Sequence, residues 1–441
     1  MCTIFPHYLT FERGMEVVQD TDSLAELCDR LGDAQFVAVD TEFLRETTFW
    51  PRLCLVQVAS VDETAIVDPL STGISLEPLF KILANTAIVK VFHAARQDIE
   101  TFYHLSGVVP TPLYDTQVAA MVCGFGDSIA YDQIVKKITG AMVDKSSRFT
   151  NWAERPLSEA QLNYALADVT HLRDVYRHLR DVLSRNGRED WVAEEMAVLS
   201  DPRTYDLRPE DAWRRLKSRA RHPAELAVLQ EVAALREREA RDRDVPRNRV
   251  MKDDLIYEIA LQRPASNEAL AKLRATAKGF ERSRLGHAII DAVKEVASRD
   301  PADLPKLPRR KPSIDGANAA VELMKVLLKM HAEMHGVAPK VLATVDDLEA
   351  IVADDDAPAL VGWRRDVFGD AALRLKRGEI AIAFDGRTLR TIDCERPVNP
   401  DAAQVRSRRR RRRKGGVQTE AASSGAIDPA GAHDGNAGNA E

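Results

Sequence analysis

No stretch of the chain approaches the ~20 consecutive apolar residues that a membrane-spanning helix needs. The opening residues, MCTIFPHYLTFERG, lack a basic region followed by an apolar one, so no secretory signal is expected. Cysteine is sparse: Cys2, Cys28, Cys54, Cys123 and Cys394 are odd in number, and no CxxC or Cys/His zinc spacing occurs. That argues against a disulfide framework and for a reducing, cytoplasmic setting. Nor is the body of the chain basic. The formal net charge is −6, but RSRRRRRRK at 406–414 holds eight positive charges, and without those eight the remainder stands at −14. Any contact of the folded body with nucleic acid must therefore use local patches.

The 441 residues, 45% hydrophobic and 29% charged, suffice for two to four domains. Met15 is a candidate start, because the globular pattern begins after it. FVAVD, LCLVQVAS and TAIVD between 36 and 68 read as three short strands, the last two close enough for a hairpin. A helix near 76–84, the strand IVKVF at 88–92 and a helix near 94–105 follow, which predicts a mixed sheet covered by helices. Further helices are expected near 115–123 and 131–138, and a long one over 159–186. Ser158 and Gln161 form a capping box at its start.

From 206 to 298 apolar residues recur at helical spacing, as at Leu226, Leu229, Val232 and Ala233. A segment rich in proline and charge, 299–316, reads as a linker, and 317–395 reads as helical again. The two helical stretches share a register: Pro246 and DDL at 253–255 recur as Pro339 and DDL at 346–348, both offset by 93. Leu235 and Leu328, and Ile259 and Val352, keep that offset, so a degenerate duplication of one module is expected. The domain plan is thus an extension over 1–19, an α/β domain over 20–200, helical domains over 206–298 and 317–395, and a disordered arginine-rich tail over 396–441.

Asp40 and Glu42, in DTEF, end the first strand of this plan. Residues i and i+2 on a strand face the same way, so two carboxylates share one side. They would repel unless solvated or bridged by a cation, and hard oxygen ligands suit Mg²⁺ or Mn²⁺. Two further carboxylates could join them. Asp98 lies early in the helix after IVKVF, and Asp168 sits in the apolar stretch NYALADV, one helical turn after Tyr164.

DTEF, HAARQD, YDTQ, DKSSRFTNW and YALADV, followed by EREARDRDVP, resemble the ribonuclease D family, within the DEDD superfamily of 3′–5′ exonucleases. The resemblance spans about 20–395. It implies a ribonuclease-H-like domain, a mixed sheet flanked by helices, followed by two all-α domains of the helicase-and-RNase-D C-terminal (HRDC) type. It also implies two divalent cations, Mg²⁺ or Mn²⁺, held by Asp40, Glu42, Asp98 and Asp168. Tyr164 would orient the attacking water. A related branch places His five residues before the last Asp; that position is Asn163, so the chain resembles the tyrosine branch. The activity so implied is 3′–5′ exoribonuclease action on tRNA precursors and other small structured RNAs, by a cytoplasmic monomer with no membrane contact. The products would be nucleoside 5′-monophosphates. The alternatives are a DNA 3′–5′ exonuclease acting in repair and a non-catalytic RNA-binding protein. The latter predicts a missing ligand.

Lesser candidates surround this set. Lys145, Arg148 and Trp152 in DKSSRFTNW could contact phosphate and stack on a base, or could form a loop packed on the fold. Asp115 reads as a helix N-cap and His93 as a structural histidine, with Arg45 and Gln57 at the rim. EREARDRDVPRNR at 237–249 mixes both signs and reads as a solvated helix face or an RNA-contacting edge. The arginine-rich tail reads as an electrostatic tether for nucleic acid or a partner-binding arm.

Overall fold

The computed structural model describes residues 16–217, 220–307 and 316–394. Met15, the centre of the linker and the arginine-rich tail lie outside the described residues. The first part runs β1 (Glu16–Val18), α1 (Thr21–Leu31), β2 (Phe36–Leu44), β3 (Arg52–Ala59), β4 (Thr64–Val67), α2 (Glu77–Ala84), β5 (Val89–Phe92) and α3 (Arg96–Ser106). Then come β6 (Leu113–Asp115), α4 (Thr116–Val122), α5 (Tyr131–Thr139), α6 (Glu159–Asn186) and α7 (Glu189–Leu199). The sheet order is β1-β4-β3-β2-β5-β6. β2, β3 and β4 form the expected antiparallel meander, while β5 pairs parallel to β2, β6 to β5 and β1 to β4. Of the expected extension, Glu16–Val18 is instead an edge strand of the sheet. Three residues are too few to carry a periodic signal.

The long helix α6 lies across one sheet face. The Ser158–Gln161 capping box opens it and Gly187, with a φ of 64°, closes it. Its apolar stripe divides into two clusters. Val169, Leu172 and Tyr176 pack on Phe36, Ala38, Ala59 and Val91. Ala165 and Leu166 pack with Trp152 on Cys54, Leu55 and Ile66. Asp168 therefore sits between two dry patches, on a helix whose position is set by both.

The first helical module comprises α8 (Pro223–Asp242), α9 (Arg247–Val250), α10 (Asp253–Gln262), α11 (Asn267–Ala271) and α12 (Arg284–Ser298). Leu226, Leu229, Val232 and Ala233 are all in its core. The second begins with α13 (Ala317–His335), α14 (Pro339–Leu342) and α15 (Val345–Val352). Displaced by 93 residues, these follow the order and nearly the bounds of α8, α9 and α10. The likeness ends there. α16 (Gly362–Arg364) runs through a π-helical turn at Arg365–Gly369 into α17 (Asp370–Lys376).

Beyond Ala372 the chain forms a separate small unit. Here the expectation of helix through 395 is corrected: β7 (Ile380–Phe384) and β8 (Leu389–Asp393) make an antiparallel hairpin. Its turn is Asp385–Thr388, with Gly386 at a φ of 92°, a conformation that costs glycine little.

Candidate active site

Asp40 and Glu42 lie on the α6 side of β2, opposite Gln57 and Leu55 of β3. The β2–β3 register shifts directly after Glu42, an irregularity of the kind that re-aims side chains beside active sites. From α6, Asp168 meets them: one ligand oxygen from each of Asp40, Glu42 and Asp168 lies within 4.8 Å of the others. They line a cavity of about 360 Å³ together with Tyr164, Tyr131, Lys145 and Arg148.

No ion pair reaches these three carboxylates among the described residues, and their protonation reflects it. Burial pushes Asp40 up to about 7. Burial, then the charges of Asp40, Asp168 and Asp98, pushes Glu42 up to about 9. Burial and Asp40 raise Asp168 well above the usual carboxylate range. Arg148 is the nearby cation that draws Glu42 and Asp168 back down. Three acids disfavouring one another's charge in a partly buried cavity are a donor set suited to a hard divalent cation, which removes both the repulsion and the desolvation cost.

Asp98 is close but differently engaged. It is buried in the first turn of α3, raised by burial and then by Asp40, and accepts a short hydrogen bond from the Thr41 hydroxyl. It therefore stands outside the three-carboxylate group. The start of α3 is itself held tightly. Asp115 accepts from the amides of Ala94 (3.0 Å) and Ala95 (2.9 Å), and also caps α4 through Gln117 and Val118. Ala94, on the cavity wall, is thereby kept at a φ of 63°, a strained conformation for a residue with a Cβ. Asp115 is thus the N-cap expected and also the clamp on the helix that carries Asp98.

Tyr164 donates to Asp168, and burial, then the nearby acids, raises its own phenol above the ordinary range. It remains neutral. Lys145 and Arg148 reach the cavity, with Lys145 paired to Asp132 at 2.7 Å. For Trp152, of the two readings left open, the structure matches the loop packed on the fold. Trp152 is 2% exposed, packed beneath α6 with its ring centroid 6.0 Å from that of Tyr164, and offers no face to a base. Phe149, overlooked in the sequence, is 90% exposed, and the Arg148 guanidinium sits over its ring. Its signal was only its adjacency to Arg148. Gln57, expected at the rim, is fully buried, and neither amide atom has a hydrogen-bond partner among the described residues. Arg45 forms a bidentate pair with Glu100. His93 is held by Thr116 (2.9 Å) and the Ile129 carbonyl (3.1 Å), as a structural histidine would be.

The sequence pattern of a 3′–5′ exonuclease domain matches residues 15–184, and that of the HRDC domain matches 225–293. The chain is 55% identical to ribonuclease D of Nitrobacter hamburgensis over 379 residues, covering 85% of this chain and 99% of that protein. The chain belongs to the ribonuclease D family. As a member, it is a 3′–5′ exoribonuclease. It is also 48% identical to ribonuclease D of Bartonella henselae, over 86% of this chain and 95% of that one. Among solved structures it is similar to Escherichia coli RNase D, described as an exoribonuclease involved in structured RNA processing. The identity is 29% and the TM-score 0.74, over 82% of this chain and 98% of that one. No described helix is long and apolar enough to cross a membrane.

Proposed function

We propose that this ribonuclease trims the 3′ ends of tRNA precursors and other small structured RNAs, as a cytoplasmic monomer, with its chemistry at Asp40, Glu42, Asp98, Tyr164 and Asp168. The observation that carries the site assignment is the convergence of three unpaired carboxylates from β2 and α6 on one cavity that also holds Arg148 and Lys145. Asp40, Glu42 and Asp168 would hold one Mg²⁺ or Mn²⁺, and Asp98 with Asp40 a second. Two such ions, when bound, supply charge neutralisation at the phosphate and activation of water for an in-line displacement.

The protein's own part is orientation. Tyr164 is too weakly acidic to be the base. Its proton stays on the bond to Asp168, which leaves the phenolic oxygen to accept from water and fix its approach to phosphorus. Lys145 and Arg148 line the same cavity and would bind the phosphate next to the cleaved bond. Phe149 carries the exposed ring that Trp152 lacks, available to stack on a base. Hydrolysis so arranged releases nucleoside 5′-monophosphates from the 3′ end.

The test uses a 3′-extended tRNA labelled at its 5′ end beside single-stranded DNA of the same sequence, with Mg²⁺, with Mn²⁺ and with EDTA. A metal-dependent ladder on RNA, absent from the Asp40→Ala protein and slow on DNA, is expected. Equal or faster trimming of DNA would shift the assignment to DNA. RNA binding without trimming by folded wild-type protein would leave only a binding role.

A further inference from the structure

Away from the carboxylates, the sheet domain and the first helical module enclose a second charged region, of opposite sign. Arg45 and Arg96, from the end of β2 and the start of α3, face Arg215 and Arg247 of the helical module across a cavity of about 210 Å³. Arg215 and Arg247 also wall a second cavity of about 280 Å³, which Arg236 lines from α8. The two cavities are neighbours across Arg215 and Arg247, and together they make an arginine-lined groove.

Its charges do not cancel. Arg215, Arg241 and Arg247 all lean on one carboxylate, Glu237, which is fully buried. Arg45 is matched by Glu100 and Arg236 by Asp253. Arg96 is exposed and forms no ion pair among the described residues. Five guanidinium groups of the lining thus face three carboxylates, one of which Arg241 also shares. Excess positive charge on partly exposed, forked donors fits phosphate oxygens.

The groove also has a direction. Arg45 follows Glu42 by three residues on the same strand end, and Arg96 precedes Asp98 by two in the same helical turn. A single strand whose 3′ end sits at the carboxylates would then run past Arg45 and Arg96 toward Arg215 and Arg247. The junction is fixed: Asp244 accepts from the amides of Phe49 (3.0 Å) and Trp50 (3.1 Å), and Arg247 lies over Phe49 at 4.3 Å. We propose that this arginine groove binds backbone phosphodiesters of the RNA strand upstream of its cleaved 3′ end. This rests on the active-site assignment above. It makes the helical module part of the RNA path, distinct from the nucleotide being removed.

The test compares substrates by length. Rates are measured on a dinucleotide and on an unstructured 12-nucleotide RNA, for wild type, Arg96→Gln and Arg215→Gln. Arg96 forms no ion pair among the described residues, so Arg96→Gln is expected to keep the wild-type melting temperature, whereas Arg215→Gln gives up one of the three partners of buried Glu237 and its melting temperature is measured beside its rates. The expected result is dinucleotide hydrolysis within about twofold of wild type. On the 12-mer, kcat/KM should fall by roughly tenfold through KM, with the slope of log KM against log salt reduced by about one per arginine removed. Equal losses on both lengths, or none on the 12-mer, would overturn the proposal. So would inorganic phosphate stabilising wild type but not Arg215→Gln with no dependence on RNA length, which would mark a site for a free anion. Binding of the 12-mer to Asp40→Ala protein, with and without the arginine changes, tests the groove even if wild type hydrolyses neither substrate.

Discussion

Two sets of sequestered acids in this molecule respond to burial in opposite ways. Asp40, Glu42 and Asp168 hold their protons more tightly than usual. Glu237 is fully buried, and burial alone would raise it too, yet Arg247, Arg215 and Arg241 hold it below the ordinary glutamate range. Burial does not by itself tell a structural acid from a functional one; the fold's own supply of cations does. Glu237 comes with its counter-charges and ties α8 to α9. The three acids of the site have no ion-pair partner among the described residues, and Arg148 offsets their repulsion only in part, so the folded chain carries an electrostatic cost that a bound cation would relieve.

The largest expected effect is on activity. Asp40→Asn should lower kcat/KM on RNA by at least roughly 10²–10³-fold, the range for removing one preorganised electrostatic group. The same change should raise the melting temperature of metal-free protein, because a repelling charge is gone. A fall in melting temperature would break the comparison. Glu237→Gln should do the reverse to stability, costing about 3–5 kcal/mol in denaturant unfolding, because three arginines lose their buried partner.

The pH dependence sharpens the contrast. The folded protein holds the site protons more tightly than the unfolded chain does, so ionising them costs stability. In EDTA, stability should fall as pH rises from the ordinary carboxylate range through about 7 for Asp40 and about 9 for Glu42, and Mg²⁺ should flatten that fall. Glu237 contributes the other limb. Its stabilisation is full above the ordinary glutamate pKa and lost as pH falls through its lowered folded value. Thermal melts across pH, with and without Mg²⁺, read both limbs.

Two smaller tests concern neighbours of the acids. Trp152→Ala should cost about 3–5 kcal/mol of stability, as for other buried aromatics. Phe149→Ala should leave the melting temperature unchanged and weaken RNA binding by about 1–3 kcal/mol if the ring stacks on a base. The smallest effect is expected at Thr41. Thr41→Val removes the hydroxyl that engages Asp98 and should change Mn²⁺ affinity, read by calorimetry, by about tenfold.

Much of this was legible in the chain. DTEF places two acids on one strand face, and YALAD places Tyr164 one turn before Asp168, because strand and helix periods are local geometry. The capping box at Ser158 and the 93-residue echo of Pro246 and DDL were legible for the same reason. The hairpin after Lys376 was also there to be read, as IAIAF alternation before Asp-Gly, but a helical pattern upstream was carried too far. The reading left open at Trp152 and the misplaced rim residue Gln57 are of another kind. Their burial depends on α6 lying over β3, and one sequence can place a tryptophan beside an arginine without saying which of them faces water.

The sequence by itself determined which acids exist, their order and which share a face, because these follow from spacing along one strand or helix. Only the tertiary structure decided that Asp98 turns to Thr41, that Glu237 keeps three arginines, and that Arg45 and Arg96 meet Arg215 and Arg247 across a groove. Those partners lie on segments far apart in the chain. Whether a charge is paired, stranded or poised for a ligand is set by packing between segments that no local period connects.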